Sequence, residues 1–375
     1  MSRAGKAAAL AALAAFSGAA LALGRSTGWL ASFGARASGA RLDRMRRSSR
    51  WAQGRFHNPM QTATLLRGSA GRMLHMQLSE RQPRYPRRPI AVVQRRRADF
   101  DSPPASGLRV TWIGHATVLL EIGGARVLTD PVWSERVSPS TLVGPSRFFE
   151  PPIALSDLPP IDVVLLSHDH YDHLDRATIQ ALAPGGATFV APLGVGAHLE
   201  RWGVPASRIR ELDWGERTEL AGVTFAATPA RHFSGRGFWD RDATLWCSWV
   251  VASGPHRVFY SGDSGYFDGF REIGREHGPF DLTLMSLGAY APTWPLIHMT
   301  PEELVQAHVD LKGELLVPVH WATFNLAFHG WNEPAIRMAA AARRVGARFS
   351  VPRPGQQVEP AGLRVDADEE EWWTE

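Results

Sequence analysis

From Leu108 onward the chain alternates short apolar runs with polar turns. Leu108–Ile113, Thr117–Ile122 and Ala125–Thr129 read as strands, with Gly123-Gly124 as the turn of a hairpin. Between Asp162 and Ser167 lies an uninterrupted apolar run, the pattern of a strand covered on both faces. Further strands are predicted at Ala187–Ala191, Val223–Thr228, Thr244–Val251, Arg257–Tyr260, Leu282–Met285 and Leu315–Val319. Helices are predicted at Leu174–Ala183, Phe267–His277, Pro301–Leu311 and Glu333–Val345, with Thr300 as the cap ahead of Pro301. Hairpins at the start, then alternating strands and helices, predict an α/β protein: a four-layer αββα sandwich of two mixed β-sheets flanked by helices. No repeat at a solenoid period is present.

Ahead of this region the texture differs. Ala7 to Leu23 is apolar and mostly alanine, a length that suits either a signal-peptide core or a marginal membrane anchor. Ala20-Leu21-Ala22 could be a cleavage site, but the flank after it is the more basic one, which favours retention on the cytoplasmic side over export. Residues 35–105 have no clean periodicity, many arginines and repeated prolines, and read as an arm packing loosely on the main domain. The expected organisation is therefore a leader or anchor over 1–34, a basic arm over 35–105 and a catalytic domain over 106–375. A chain beginning near residue 50 is expected to fold and to lose only its binding to anionic vesicles.

Composition narrows the classes. With 375 residues, 44% of them apolar and 21% charged, the chain can bury a large core and is not disordered throughout. The net charge of +4 hides an asymmetry, since residues 1–100 hold 19 Lys and Arg against 3 Asp and Glu. A basic leader suits anionic lipid or nucleic acid, or is simply a solvated segment. Cys247, the single cysteine, lies in an apolar run and reads as a buried thiol, so nothing here requires an oxidising compartment.

The densest chemistry is His168-Asp-His-Tyr-Asp-His173, directly after an apolar strand, where α/β proteins place their sites. Imidazoles and carboxylates this close are costly to bury unless a divalent cation takes neutral imidazole and ionised carboxylate together. Ligand-type residues also follow three other strands: His232, Asp263 behind Gly262, and His320. His298, in the loop Pro292–Thr300 ahead of a helix cap, could contact substrate or protonate a leaving group, or be structural. Most of the remaining histidines, His115 among them, are expected at the surface or behind the ligands.

Residues from about 108 to 334 resemble the metallo-β-lactamase superfamily, and within it the N-acylphosphatidylethanolamine-hydrolysing phospholipase D family. The resemblance rests on Thr111-Trp-Ile-Gly-His-Ala-Thr117, Leu128-Thr-Asp-Pro131, Val143-Gly-Pro-Ser-Arg147, Ser167-His-Asp-His-Tyr-Asp-His-Leu-Asp175, Phe259-Tyr-Ser-Gly-Asp-Ser-Gly-Tyr266, Gly288-Ala-Tyr290 and His320-Trp-Ala-Thr-Phe324. It implies the metallo-β-lactamase fold and two Zn2+ per chain, with Mn2+ or Fe2+ as alternatives. His168, His170 and His232 would hold one ion, Asp172, His173 and His320 the other, and Asp263 would bridge. Asp172 and His298 would be catalytic, and Tyr290 and His298 would bind substrate. Thr293 and Phe233 stand where the family often has a basic residue and a tryptophan.

The resemblance further implies hydrolysis of a phospholipid or other small phosphodiester, with phosphatidic acid and an N-acylethanolamine as products. Membrane association through the N-terminal segment is expected, with the catalytic domain on the cytoplasmic side or, alternatively, exported after signal cleavage. No nucleic-acid partner is expected, and a homodimer is admitted. The rivals are a lactonase resembling the L-ascorbate-6-phosphate lactonases, a nuclease of the ribonuclease Z kind, and a non-enzymatic membrane-associated metal-binding module. A closed structural metal site has four ligands and no open position, and seven candidate ligands argue against that last reading.

Overall fold

The segment expected to pack loosely is anchored to the body at a few buried residues, while most of it stays exposed. A computed structural model describes residues 29–79, 83–362 and 371–374; the apolar stretch Ala7–Leu23, and with it the leader or anchor reading, lies outside them. The arm contains α1 (Gly39–Arg47), a hairpin of β1 (Trp51–Ala52) and β2 (Arg55–Phe56), and α2 (Ser69–Leu78). Met45 and Phe56 are each 1% exposed and share an apolar cluster with Leu193, Ala230, Leu245 and Trp246. Arg41 donates to Glu200 at 2.7 Å and to Glu211 at 2.6 Å, and Arg44 to Glu216 at 2.6 Å. Part of the charge asymmetry is thus spent within the molecule, basic arm against acidic body. The exposed Arg44–Glu216 pair adds little stability, and the buried Met45 and Phe56 carry most of the docking.

Two seven-stranded sheets follow. The first holds β3 (Leu108–Gly114), β4 (Thr117–Ile122), β5 (Ala125–Thr129), β6 (Val163–Leu165), β7 (Thr188–Pro192) and β8 (Ile209–Leu212) in that order. The second holds β9 (Arg217–Leu220), β10 (Val223–Thr228), β11 (Ser248–Ser253), β12 (His256–Tyr260), β13 (Phe280–Ser286), β14 (Gly313–Val319) and β15 (Arg348–Phe349). A last short strand, β16 (Gln357–Val358), closes the outer edge of the first sheet beside β3. Each sheet runs from antiparallel hairpins into parallel strands, the change falling at β5 in the first and β12 in the second.

Trp112, Leu120 and Val127 of the first sheet meet Phe225, Trp249 and Phe259 of the second in one core. The outer faces are covered by α3 (Arg176–Leu182) and α4 (Gly196–Arg201) on one side, with Leu174, Ile179 and Leu199 buried beneath. On the other lie α5 (Gly269–Glu276), α6 (Pro301–Asp310) and α7 (Glu333–Val345), burying Phe270, Leu304 and Met338. This is the four-layer αββα sandwich expected. Thr300 caps α6 as predicted, accepting from the Glu303 amide while the Glu303 carboxylate reaches back.

All four edge strands of the two sheets, β8, β9, β15 and β16, escaped the pattern, as did α4 and the short elements of the arm. β8 and β9 are four residues each and half polar, as edges are, and α4 is barely two turns long. Thr244–Cys247 was expected to begin a strand but crosses between the sheets, its Leu245 and Cys247 amides donating to the carbonyls of Leu193 and Ser167.

If the arm is integral, Met45→Ala should lower the unfolding free energy by about 3 kcal/mol, read by urea denaturation. A negligible change would restore the loosely packed arm.

Candidate metal centre

The strand ends converge. β3, β5 and β6 run the same way in the first sheet, as do β10, β12, β13 and β14 in the second, so the residues that follow them meet at one edge of the sandwich. There Asp263 Oδ2 lies 3.1 Å from His320 Nε2, 3.2 Å from His173 Nε2, 3.7 Å from His232 Nε2 and 3.9 Å from His168 Nε2. His170 completes one side, its Nδ1 being 2.9 Å from His168 Nε2 and 3.3 Å from His232 Nε2. Asp172 completes the other, its Oδ2 being 3.2 Å from His320 Nε2 and 3.5 Å from His173 Nε2. The ligand atoms of His168, His170, His232 and Asp263 all fall within 4.8 Å of one another, and so do those of His115, Asp172, His173 and His320. All seven residues expected from the sequence as metal ligands are brought together.

An outer layer of hydrogen bonds aims these rings. His232 Nδ1 is 2.9 Å from the Ile297 carbonyl, His173 Nδ1 is 2.7 Å from Asp130 Oδ2, and His168 Nδ1 is 2.9 Å from Ser167 Oγ. An Nδ1–H engaged outward leaves the Nε2 lone pair facing the centre. Asp130 is the hub of this layer. Besides His173 it accepts from the Ser167 amide at 2.7 Å, from the Ser167 hydroxyl and from Tyr260.

The metal loop is held from behind. Arg236, buried and stacked 4.0 Å over the Tyr171 ring, donates to the carbonyls of Asp169 at 2.6 Å and Leu174 at 2.9 Å, clasping both ends of the loop. Asp169, within the motif, turns away from the centre to accept from the Gly235 amide and the Thr244 hydroxyl.

His115, Asp130 and His320 each follow a strand directly and sit at φ +51°, +33° and +62°. Non-glycine residues at such angles cost of order 1–3 kcal/mol each, and such strain is held where the surroundings over-determine it. Here it turns each side chain sharply off its strand into the edge.

Sequence reasoning missed Asp130 and left His115 open between the surface and a place behind the ligands. His115 Nε2 is 2.9 Å from Asp172 Oδ2, so it belongs with the second cluster and not at the surface. Both residues obey the rule that picked out His232, Asp263 and His320, a ligand-type side chain just past an apolar strand, and that rule would have found them. His298 lies beside the centre, its ring 5.1 Å from that of His232 and 5.5 Å from that of His320. Its Nδ1 is buried without a partner. Tyr290, expected to bind substrate, has its hydroxyl engaged within the protein. Its hydroxyl donates to Glu333 at 3.0 Å, accepts from Arg337 at 3.2 Å, and its ring stacks on His329. That ion pair engages the hydroxyl, and Tyr290 is not among the residues whose ligand atoms converge.

The electrostatics of the centre are those of a cation site. Burial holds His115 down at about 3, and drives His168 and His232 well below the ordinary imidazole value. Burial acts on His173 and His320 in the same sense, but the carboxylates around them, Asp263 and Asp172 for both and Asp130 for His173, together outweigh it, lifting His320 to about 9 and His173 well above its ordinary value. Asp172 and Asp263 stay ionised against burial because His173 lies beside both. Protons on His173 and His320 thus compensate the buried carboxylates. Neutral imidazoles and ionised carboxylates around one divalent charge would do so better, and His173 Nε2 is buried with no hydrogen-bond partner, as a ligand atom would be. The donor set fits a metal.

Such a fold and centre define a metal-dependent hydrolase. Residues 125–321 match the β-lactamase superfamily domain, and the chain belongs to the metallo-β-lactamase superfamily. It is 51% identical over 291 residues to an uncharacterized protein of Mycobacterium tuberculosis, covering 76% of this chain and 77% of that one. It is 38% identical over 239 residues to N-acyl-phosphatidylethanolamine-hydrolyzing phospholipase D 1 of Caenorhabditis elegans, covering 60% of this chain and 66% of that one. Among solved structures, an isothiocyanate hydrolase from Delia radicum gut bacteria shares the fold at TM-score 0.54 and 19% identity, over 67% of this chain and 98% of that one.

Because Asp130 serves His173, Ser167 and Tyr260 together, Asp130→Ala should cost roughly 3 kcal/mol or more in the metal-free protein, read by urea denaturation. Unchanged stability would show that Asp130 is not the hub.

Proposed function

We propose that the chain is a binuclear phosphodiesterase that cleaves N-acylphosphatidylethanolamine-like phospholipids to phosphatidic acid and an N-acylethanolamine. The observation that carries this reading is the position of Asp263, its Oδ2 standing between two groups of imidazole donors. The Caenorhabditis elegans relative, named for this activity, supports the substrate class. His168, His170 and His232 would hold one cation, Asp172, His173 and His320 the other, and Asp263 both. Divalent cations, zinc or alternatively manganese or iron, supply water of lowered pKa and Lewis acidity toward phosphoryl oxygens when bound.

The chain's own groups do the rest. Asp172, whose Oδ2 lies 2.9 Å from His115 Nε2, would orient the attacking water and take its proton. The new bond forms between the water oxygen and phosphorus, and the bond from phosphorus to the ethanolamine oxygen breaks. The departing alkoxide takes up a proton. His298, with Nδ1 unpartnered, would hydrogen-bond a phosphoryl oxygen or deliver that proton.

The arm supports a lipid substrate. Leu74 and Leu78 of α2 are 60% and 77% exposed, and the Leu66 amide donates to the Thr293 carbonyl at 2.9 Å. That contact puts the arm against the loop that leads to His298. No helix among the described residues is long and apolar enough to cross a membrane. Membrane association through the N-terminal segment, from the cytoplasmic side, belongs to this proposal.

Elemental analysis should find about two metal equivalents per chain, and His320→Ala should lose one. A single ion retained unchanged in His320→Ala would refute the binuclear reading. Metal-loaded protein should turn over phosphodiesters in preference to lactones; the reverse preference would make it a lactonase. His298→Ala should keep both ions and lose about a hundredfold in rate. An equal loss on every leaving group assigns His298 to binding a phosphoryl oxygen. A smaller loss with nitrophenol assigns it to proton delivery, and no loss removes it from the mechanism.

A further inference from the structure

His232 sits in a long irregular connection between β10 and β11, so no sheet ladder holds its backbone. Its amide and carbonyl are both taken by one side chain from far away in the sequence. Asn58 Nδ2 donates to the His232 carbonyl at 2.7 Å, and the His232 amide donates to Asn58 Oδ1 at 3.2 Å. With the Ile297 carbonyl on the ring, His232 is fixed at three points. Among short side chains only an asparagine amide offers both a donor and an acceptor at this reach.

The arm delivers Asn58 accurately. Phe56, two residues earlier, is 1% exposed against Ala230, two residues before His232, and its amide donates to the Asp242 carbonyl at 2.8 Å. Three and four residues beyond Asn58 the chain is secured again, as Arg231 donates to the Gln61 carbonyl and the Thr62 hydroxyl. Three neighbouring anchors thus bind the arm to the residues that carry one ligand-type histidine.

We infer that Asn58 is a positioning residue of the metal centre: the N-terminal arm, through this amide, sets the place of His232 and so the affinity of one of the two metals. The inference rests on the binuclear reading above. Groups behind metal ligands change metal affinity about 10–100-fold when removed, which is the size of effect to look for.

The test titrates Zn2+ into the metal-free full chain against a chromophoric chelator, and melts the metal-free protein alongside. Asn58→Leu, close in size but without hydrogen bonds, should weaken one of the two sites about tenfold or more and leave the other as in the wild type. The melting temperature of the metal-free protein should change little. Asn58→Asp, which keeps the acceptor for the His232 amide and loses the donor, should weaken the same site, and it decides the matter if the leucine variant does not fold. Arg44→Ala breaks an exposed contact between arm and body and should bind both ions normally. Normal binding by both Asn58 variants, or equal weakening in Arg44→Ala, would overturn the role of Asn58 while the binuclear reading stands. A wild-type chain that binds neither zinc, manganese nor iron would overturn both.

Discussion

The edge of this sandwich is organised around one carboxylate oxygen, Asp263 Oδ2, faced by four imidazole nitrogens at 3.1 to 3.9 Å. Such a gathering is unfavourable in a buried setting unless charge is balanced within it, because desolvation penalises every ion and like charges repel at short range. Without a metal the balance is struck by protons on His173 and His320. The same atoms, as neutral imidazoles and ionised carboxylates, would suit divalent cations. Much else in the molecule can be understood as keeping these atoms in place.

The support is layered. Asp130 binds the ends of β5, β6 and β12 together through Ser167, His173 and Tyr260, so the two sheets cannot slide at the edge without losing several hydrogen bonds at once. Arg236 clasps the metal loop by its carbonyls, a task a guanidinium performs with several donors in one plane. Left-handed backbone at His115, Asp130 and His320 is tolerated because the strands before them lie in a closely packed core.

The arm alters the picture of a catalytic domain with a detachable leader. Its basic residues answer acids on the body, its hairpin buries Phe56 beneath the connection that holds His232, and Asn58 touches that ligand's backbone. A surface that would otherwise be a long mobile connection becomes a fixed wall of the centre. The same arm exposes leucines on α2, so one segment both steadies the site and presents apolar surface beside it.

By itself the sequence determined the fold class, most of the strands and the residue types at the centre. These are local properties: apolar period, cap chemistry and the density of His and Asp after a strand are written in consecutive residues. β4, β5, β10 and α7 fall where the pattern puts them. What it left undecided depended on distance in space. Nothing near Asn58 or Arg236 in the chain announces a partner, because those partners are backbone groups, and a backbone amide or carbonyl looks the same at every residue. The prolines and arginines of 35–105 concealed the arm's docking points for the same reason, since Met45 and Phe56 are isolated apolar residues with no period to betray them. For His115 the sequence left the surface and a place behind the ligands both open, until β3 and β14 placed it 2.9 Å from Asp172. Side-chain chemistry can be read along a chain, but which backbone groups a side chain will hold is decided only when the sheets close.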